Sequence, residues 1–478
     1  MIALDRGEVP LSAVQAYGLD VLLDLARLIP APAELAGIPQ LRIVADAPGQ
    51  EPDTTLAERA PECSHGSITL GMGTLGAIGR LAGAAAEQRS TTEDRHGRVP
   101  TGESPLGTDG RWLRPLLSLA AQRLRACVVA GAPHPERLRF VAPWPEGKRW
   151  AVGLSHDLDL VSGWGFAAGL RLLELVRHGA PASALRVVGA ALGEFLGRPV
   201  EIAIDRLLAR LDSAGIRATW FVICETPSFA TWRRGDVTYH PESPRVRALL
   251  RQVVAAGHEV GLHGSFATVE EAGRFGAQRA RLEALIGRPV LGVRQHFLRM
   301  HPGTTQRQML AAGFGYDATY GFADRSGYRL ATADVLPGWD EQGGHRTALD
   351  EVPLHWMDRT LSKYQGVEAP EAWVADGLAR ADEARAVEGL WVGLWHPNLS
   401  APLGFPGTEE ALGRLLEGLA AGSPWFAPLG EVVEWRRQRR AVTIVGVTPG
   451  GTPIFGGPRT VPIEDLDGRP VSVERSAA

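Results

Sequence analysis

The stretch that decides the fold is WAVGLSHDLDLVSGWG, residues 150–165. Trp150–Leu154 reads as a short buried strand, and His156, Asp157 and Asp159 follow at once. An imidazole and two carboxylates so close together are costly to desolvate unless something pairs them. A metal ion or a reaction would account for the cost. In a parallel β/α barrel such residues gather at the C-terminal ends of the strands, where loops vary without disturbing the core.

Six further candidate strands follow: Ala218–Cys224, His258–His263, Leu291–His296, Asp317–Tyr320, Glu351–Trp356 and Leu390–His396. Helical stretches separate most of them, several ending on Gly. Strand alternating with helix predicts an α/β fold, a parallel barrel or an open sheet. The strand ends deliver, in order, His156, Asp157 and Asp159, then His263, Arg294 and His296, His355 and Asp358, and His396. Each alone reads as a hydrogen-bonded core residue. Together, imidazoles and carboxylates suit Zn²⁺ or a similar divalent ion with one position open to water. His258 stands at a strand start and reads as structural.

Five motifs then resemble, in order, those of the polysaccharide deacetylases (carbohydrate esterase family four), and more narrowly a bacterial branch with HDxD as its first motif. After HDLD (156–159) come GIRATWFV (215–222), GHEVGLHGS (257–265), GVRQHFLR (292–299) and LWHP (394–397). VVEWRRQRR (432–440) is similar to the closing helix of that domain. The resemblance spans about residues 148–438. It implies a distorted (β/α)₇ barrel, a divalent metal, and hydrolysis of an acetyl or similar acyl group from a carbohydrate. By position it implies Asp157 as catalytic base, His396 as acid, Arg294 as a residue orienting a carboxylate, and Asp159 and His263 as metal ligands. A Leu separates the two aspartates where the family has them adjacent, so the reverse assignment of Asp157 and Asp159 stays open. The family's second histidine, four residues on, is here Ala267; His296 is the candidate third ligand. Arg294 reads equally as a buried ion pair. His156, Tyr320, His355, Asp358 and Trp395 are candidates for the substrate groove, as are Asp324 and Arg325.

Outside this region, residues 1–140 read as an α/β accessory domain and 439–478 as a short β-rich tail. The proline-rich stretch 132–149 reads as a linker. GMGTLG (71–76) matches a dinucleotide fingerprint, but a polar loop follows where a second strand should carry an acidic residue. Close helix–strand packing by its glycines is the expectation instead.

With 50 Lys and Arg against 54 Asp and Glu, the net charge of −4 gives no reason to expect nucleic acid or an anionic membrane as partner. Cys63, Cys127 and Cys224 are far apart without a CxxC pair, and read as free thiols in a reducing cytosol. No basic-then-apolar leader or long apolar run stands out, so a cytoplasmic location is expected. Two rivals remain on the same barrel: a carbohydrate-binding protein without turnover, and an amidohydrolase acting on a small non-sugar amide.

Overall fold

The computed structural model describes all residues except 6–9, 33, 34, 36, 46–60, 65, 66, 108, 162–164, 178, 197–203, 477 and 478. The central sheet is built from β1 (Ala151–Leu158), β2 (Thr219–Ile223), β3 (Glu259–Gly264), β4 (Gly292–Gln295), β5 (Tyr316–Asp317), β6 (Leu336–Asp340), β7 (His345–Glu351), β8 (Trp356–Met357), β9 (Leu390–Leu394) and β10 (Trp425–Phe426). Its order is β6-β7-β5-β4-β3-β2-β1-β9-β8, with β10 pairing the start of β1. All pairings are parallel except β6 with β7. The result is a curled half-barrel. Helices such as Pro244–Ala255, Arg274–Ile286, Pro370–Ala386 and Thr408–Ala421 cover it, so β1, β2 and β9 are buried along their whole length.

Strand β1 does not stop at Leu154. It continues through Ser155-His156-Asp157-Leu158, pairing with β2 from Ser155 to Leu158. Side chains alternate along a strand, so Ser155 and Asp157 share one face and His156 takes the other. Two expected strands change shape. Asp317–Tyr320 contracts to Tyr316–Asp317, and Glu351–Trp356 divides between β7 and β8. Sequence reading also missed the β6–β7 hairpin, whose four-residue turn Glu341–Gly344 closes on Gly344 at φ 63°. Between β1 and β2 the helical stretch VEIAIDRLLARLDSAG (200–215) forms a helix over Ile204–Ser213, its first residues lying outside the described ones.

Five strands pair in the order Pro30–Ala31, Ile2–Asp5, Gln40–Val44, Ser67–Gly71, Glu62–Ser64 at the N-terminal end. Helix Met72–Ala82 packs on helix Ala13–Leu25 there. An added Cβ at Gly18 would lie 2.0 Å from the Leu75 carbonyl oxygen, and one at Gly79 2.2 Å from that of Val14. Gly18 and Gly79, both outside 71–76, therefore serve a helix–helix contact, while Gly76 meets only the Arg80 side chain of its own helix. Tyr17 stacks on Trp339 of β6 (4.8 Å) and donates to the Pro337 carbonyl (2.7 Å), which makes this core continuous with the central sheet.

The stretch 132–149 is packed, not a free linker. Trp144 is fully buried and donates to the Glu388 carbonyl (2.8 Å), and Phe140–Val141 pairs with Ile463–Glu464 of the tail. Glu388 gathers Arg27 (3.0 Å), Arg125 (2.6 Å) and Arg149. Burial alone would push its carboxyl up, but the three guanidiniums hold it down to about 2. A depressed folded pKa means the stabilisation is in force above the ordinary Glu value of about 4.3 and is lost as pH falls towards about 2. Glu388→Ala takes the carboxylate from Arg125 and leaves Arg27 and Arg149 only Glu464 (3.1 and 2.9 Å); a loss of about 2 kcal/mol at pH 7 in urea unfolding is expected. A loss under about 1 kcal/mol would mean that the cluster is neutral for stability.

Cys63 and Cys127 form a disulfide with Cα atoms 6.0 Å apart, tying strand Glu62–Ser64 to helix Leu116–Ala130. This corrects the reading of free thiols, and the cysteine argument for a reducing cytosol goes with it. Cys224 is free and buried. Thiol titration of the denatured, unreduced protein should therefore find one thiol, and three after reduction. Three before reduction would refute the bond. No helix among the described residues is long and apolar enough to cross a membrane.

Candidate metal centre

Asp159 lies just past the end of β1, His263 near the end of β3 and His296 just after β4. The register aligns them, since Ile223 pairs with His263 and His263 with Arg294. One donor atom from each of Asp159, His263 and His296 falls within 4.8 Å of the others. Asp159 Oδ1 is 3.4 Å from His263 Nε2 and 3.5 Å from His296 Nε2. That oxygen is buried and has no hydrogen-bond partner.

The far side of each ring is held. His263 Nδ1 lies 2.9 Å from the Arg294 carbonyl, which can only accept, so Nδ1 carries the proton and Nε2 presents a lone pair when the ring is neutral. His296 Nδ1 lies 3.1 Å from Asp236 Oδ1, with the same consequence. Both Asp236 oxygens also accept from the Phe266 amide (3.1 Å each). Carbonyl or carboxylate behind imidazole is the arrangement that orients metal-binding histidines. A buried unpartnered carboxylate oxygen facing two such nitrogens fits a divalent cation of the zinc type.

Electrostatics agree. Burial opposes the Asp159 charge, yet His296, His263 and His396 hold its carboxyl well below the usual range. His263 shows the converse: burial lowers it, but Asp157 and Asp159 win and raise it. A raised pKa favours a proton on His263 when no ion is bound, so a cation at this site would displace that proton.

Two further pairs flank the cluster. Arg294 is fully buried and donates to Asp157 Oδ1 (3.0 Å), Ser155 Oγ (2.9 Å) and the Ala318 carbonyl (3.0 Å), its guanidinium over the Phe221 ring. His396, after β9, has Nδ1 2.7 Å from Asp358 Oδ1, while its amide donates to Asp358 Oδ2 (2.6 Å). Burial would lower the His396 pKa, but Asp358 first, then Asp159 and Asp157, raise it to about 9. Its Nε2 stands 3.6 Å from Asp159 Oδ2.

These groups share a cleft of about 120 Å³. That is below the few hundred Å³ of a pocket enclosing a whole drug-sized ligand; it holds a scissile group and little more. Several groove candidates lie elsewhere. His156 faces the other side of β1, Nδ1 2.8 Å from the Trp395 carbonyl and ring against Trp220. His355 bonds the Thr332 carbonyl and the Val392 amide in the core. Trp395 stacks on Trp356, and Tyr320 is buried against the N-terminal core. Arg325 turns to Trp112 and the Gly107 carbonyl, and Asp324 to Thr101. Asp358 serves His396 and does not line the cleft. His258 accepts from the Ala218 amide (3.0 Å), the structural role expected of it.

Sequence reading missed Asp236, Phe297, Arg98 and Lys363. Phe297 and Leu298 sit at φ 59° and 55°, a left-handed pair costing about 1–3 kcal/mol each for side chains of this kind. The turn lays the Phe297 ring on His296 (4.1 Å) and is braced by Arg98, which donates to the Phe297 carbonyl (3.3 Å). Arg98 belongs to the polar loop 89–111, so the N-terminal portion supplies part of the cleft wall.

No known family model and no curated protein matches this chain. Solved structures do align with it. A provisionally named polysaccharide deacetylase from Mycobacterium smegmatis is 23% identical, with 64% of this chain and 96% of that one covered, at a TM-score of 0.42. The chitin deacetylase of Colletotrichum lindemuthianum is 13% identical, with 61% and 92% covered, at 0.32. A family-four pseudoenzyme from Bacillus anthracis is 12% identical, with 61% and 66% covered, at 0.30. Scores this low leave the functional reading to the side chains.

Proposed function

We propose that the protein is a metal-dependent hydrolase of the polysaccharide deacetylase kind, removing an acetyl or similar acyl group from a carbohydrate. The observation that carries this is the buried, unpartnered Asp159 oxygen between the free Nε2 atoms of His263 and His296. Those three residues would hold the ion, and two imidazoles with one carboxylate suit zinc. Bound there, a divalent cation lowers the pKa of a water and polarises the acyl carbonyl.

The remaining roles belong to the chain. Asp157, kept in place by Arg294, takes the proton of the attacking water. His396, charged through Asp358, gives a proton to the departing nitrogen or oxygen. Arg294 acts through Asp157 and is a positioning residue. Domain limits near residues 140 and 438 stay part of this reading.

Zinc-loaded protein should release acetate from a panel of N- and O-acetylated sugars, lose that activity to a chelator and regain it with zinc. A protein that binds zinc and the sugars yet releases no acetate would instead be the binding module.

A further inference from the structure

Three cations line the cleft beside the proposed metal centre: Arg98, Arg359 and Lys363. Two are spoken for. Arg98 pairs with Asp94 (2.6 Å) and donates to the Tyr364 hydroxyl (3.2 Å), and Arg359 makes two 2.8 Å bonds to Glu174. Lys363 has no carboxylate partner among the described residues. Its ammonium stands over the Phe297 ring (5.4 Å) and the Tyr364 ring (5.6 Å). The Phe297 ring is in turn stacked on His296.

An ammonium held by two aromatic faces is fixed in position but not neutralised. Desolvation first, and then the charges of Arg359 and Arg98, hold it below the usual lysine range, with Tyr364 and Glu174 opposing. Of the acids of the cleft, Asp157 is bonded by Arg294 and Asp159 faces His263 and His296, and neither pairs with Lys363. Lys363 is itself exposed, so its charge is open to a ligand entering the cleft, and no carboxylate of the described residues competes for it.

We infer that Lys363 is a specificity residue, and that the substrate's sugar carries an anionic substituent, a carboxylate or a phosphate, seated on Lys363 while the acyl group lies at the metal centre. Phe297 ties the two halves together, since one ring backs both a proposed ligand and the anion site. The inference rests on the hydrolase reading for the acyl half only; the anion half stands on Lys363 itself.

The experiment compares three acetylated sugars on zinc-loaded protein: a free uronic acid, its methyl ester, and a hexose phosphate. A charge-assisted contact at this position should favour the acid or the phosphate over the ester by roughly ten-fold in kcat/KM, carried by KM. Which of the two anions gains more identifies the source. The preference, read as the acid-to-ester ratio of kcat/KM within each protein, should vanish in Lys363→Met and return in Lys363→Arg. Calorimetric binding of the same sugars is read in parallel. Acid-selective binding lost in Lys363→Met, with no acetate released, would uphold the anion site and defeat the hydrolase reading. Hydrolysis of acid, phosphate and ester alike would overturn the anion site and leave the hydrolase reading standing.

Discussion

Asp157→Asn is expected to cut acetate release by roughly 10²–10⁴-fold, the range for losing a general base, while the variant still takes up zinc. Asn keeps the side chain's shape and an oxygen for Arg294 but cannot accept the water's proton. Asp159→Asn should do the opposite and lose the metal, because its Oδ1 is the atom between His263 and His296. The pair of variants decides which aspartate is base and which is ligand. Zinc lost with Asp157→Asn and kept with Asp159→Asn would reverse the assignment. Asp157→Asn also removes the counter-charge of a fully buried guanidinium. Its melting temperature must therefore be measured, since a buried charge left alone is destabilising. Bound zinc in the variant shows that the site itself survived.

What the sequence carried, and what it withheld, follows one physical line. Strand-end residues were legible because an apolar run ending on His or Asp is a local pattern; Asp159, His263, His296 and His396 were found that way, and the structure brings them together. Which face a residue takes was not legible, because it depends on how far the strand runs. β1 continues to Leu158, so alternation turns His156 away from Asp157. His355 went astray for a related reason: Glu351–Trp356 is two strands with a break between them, which resets the alternation. Asp236, Arg98 and Lys363 arrive on loops and a short helix, with no periodicity to mark them. Nor does a disulfide spanning 64 residues leave any local trace. The β6–β7 hairpin was within reach, since Gly343-Gly344 beside Asp340 is a turn signal.

The Phe297 turn shows why the site could not be read from strands alone. Its left-handed backbone is unfavourable by itself and survives because His296, Arg98 and the Lys363 ammonium all contact the residue. Those contacts come from segments about 200 residues upstream and about 65 downstream.

The second large effect concerns His396. Its elevated pKa of about 9 keeps the imidazole charged, and so able to donate, across neutral pH. A bound cation would offset the share due to Asp159 and Asp157, leaving Asp358 as the main support. Activity should therefore hold through neutral pH and fall on the alkaline side, as His396 loses its proton below or near pH 9. In Asp358→Asn the largest raising influence is gone while burial, which lowers the pKa, remains. The imidazole should then titrate at or below its ordinary value of about 6.5. The alkaline limb of kcat/KM is expected to move to lower pH by about two units. At pH 8 that leaves roughly one thirtieth of the imidazole charged, and activity should drop at least as far. Zinc content should not change, because His396 is not among the three proposed ligands. An alkaline limb unmoved in Asp358→Asn would assign the leaving-group proton to another donor. Loss of zinc together with activity would make His396 a ligand instead of the acid.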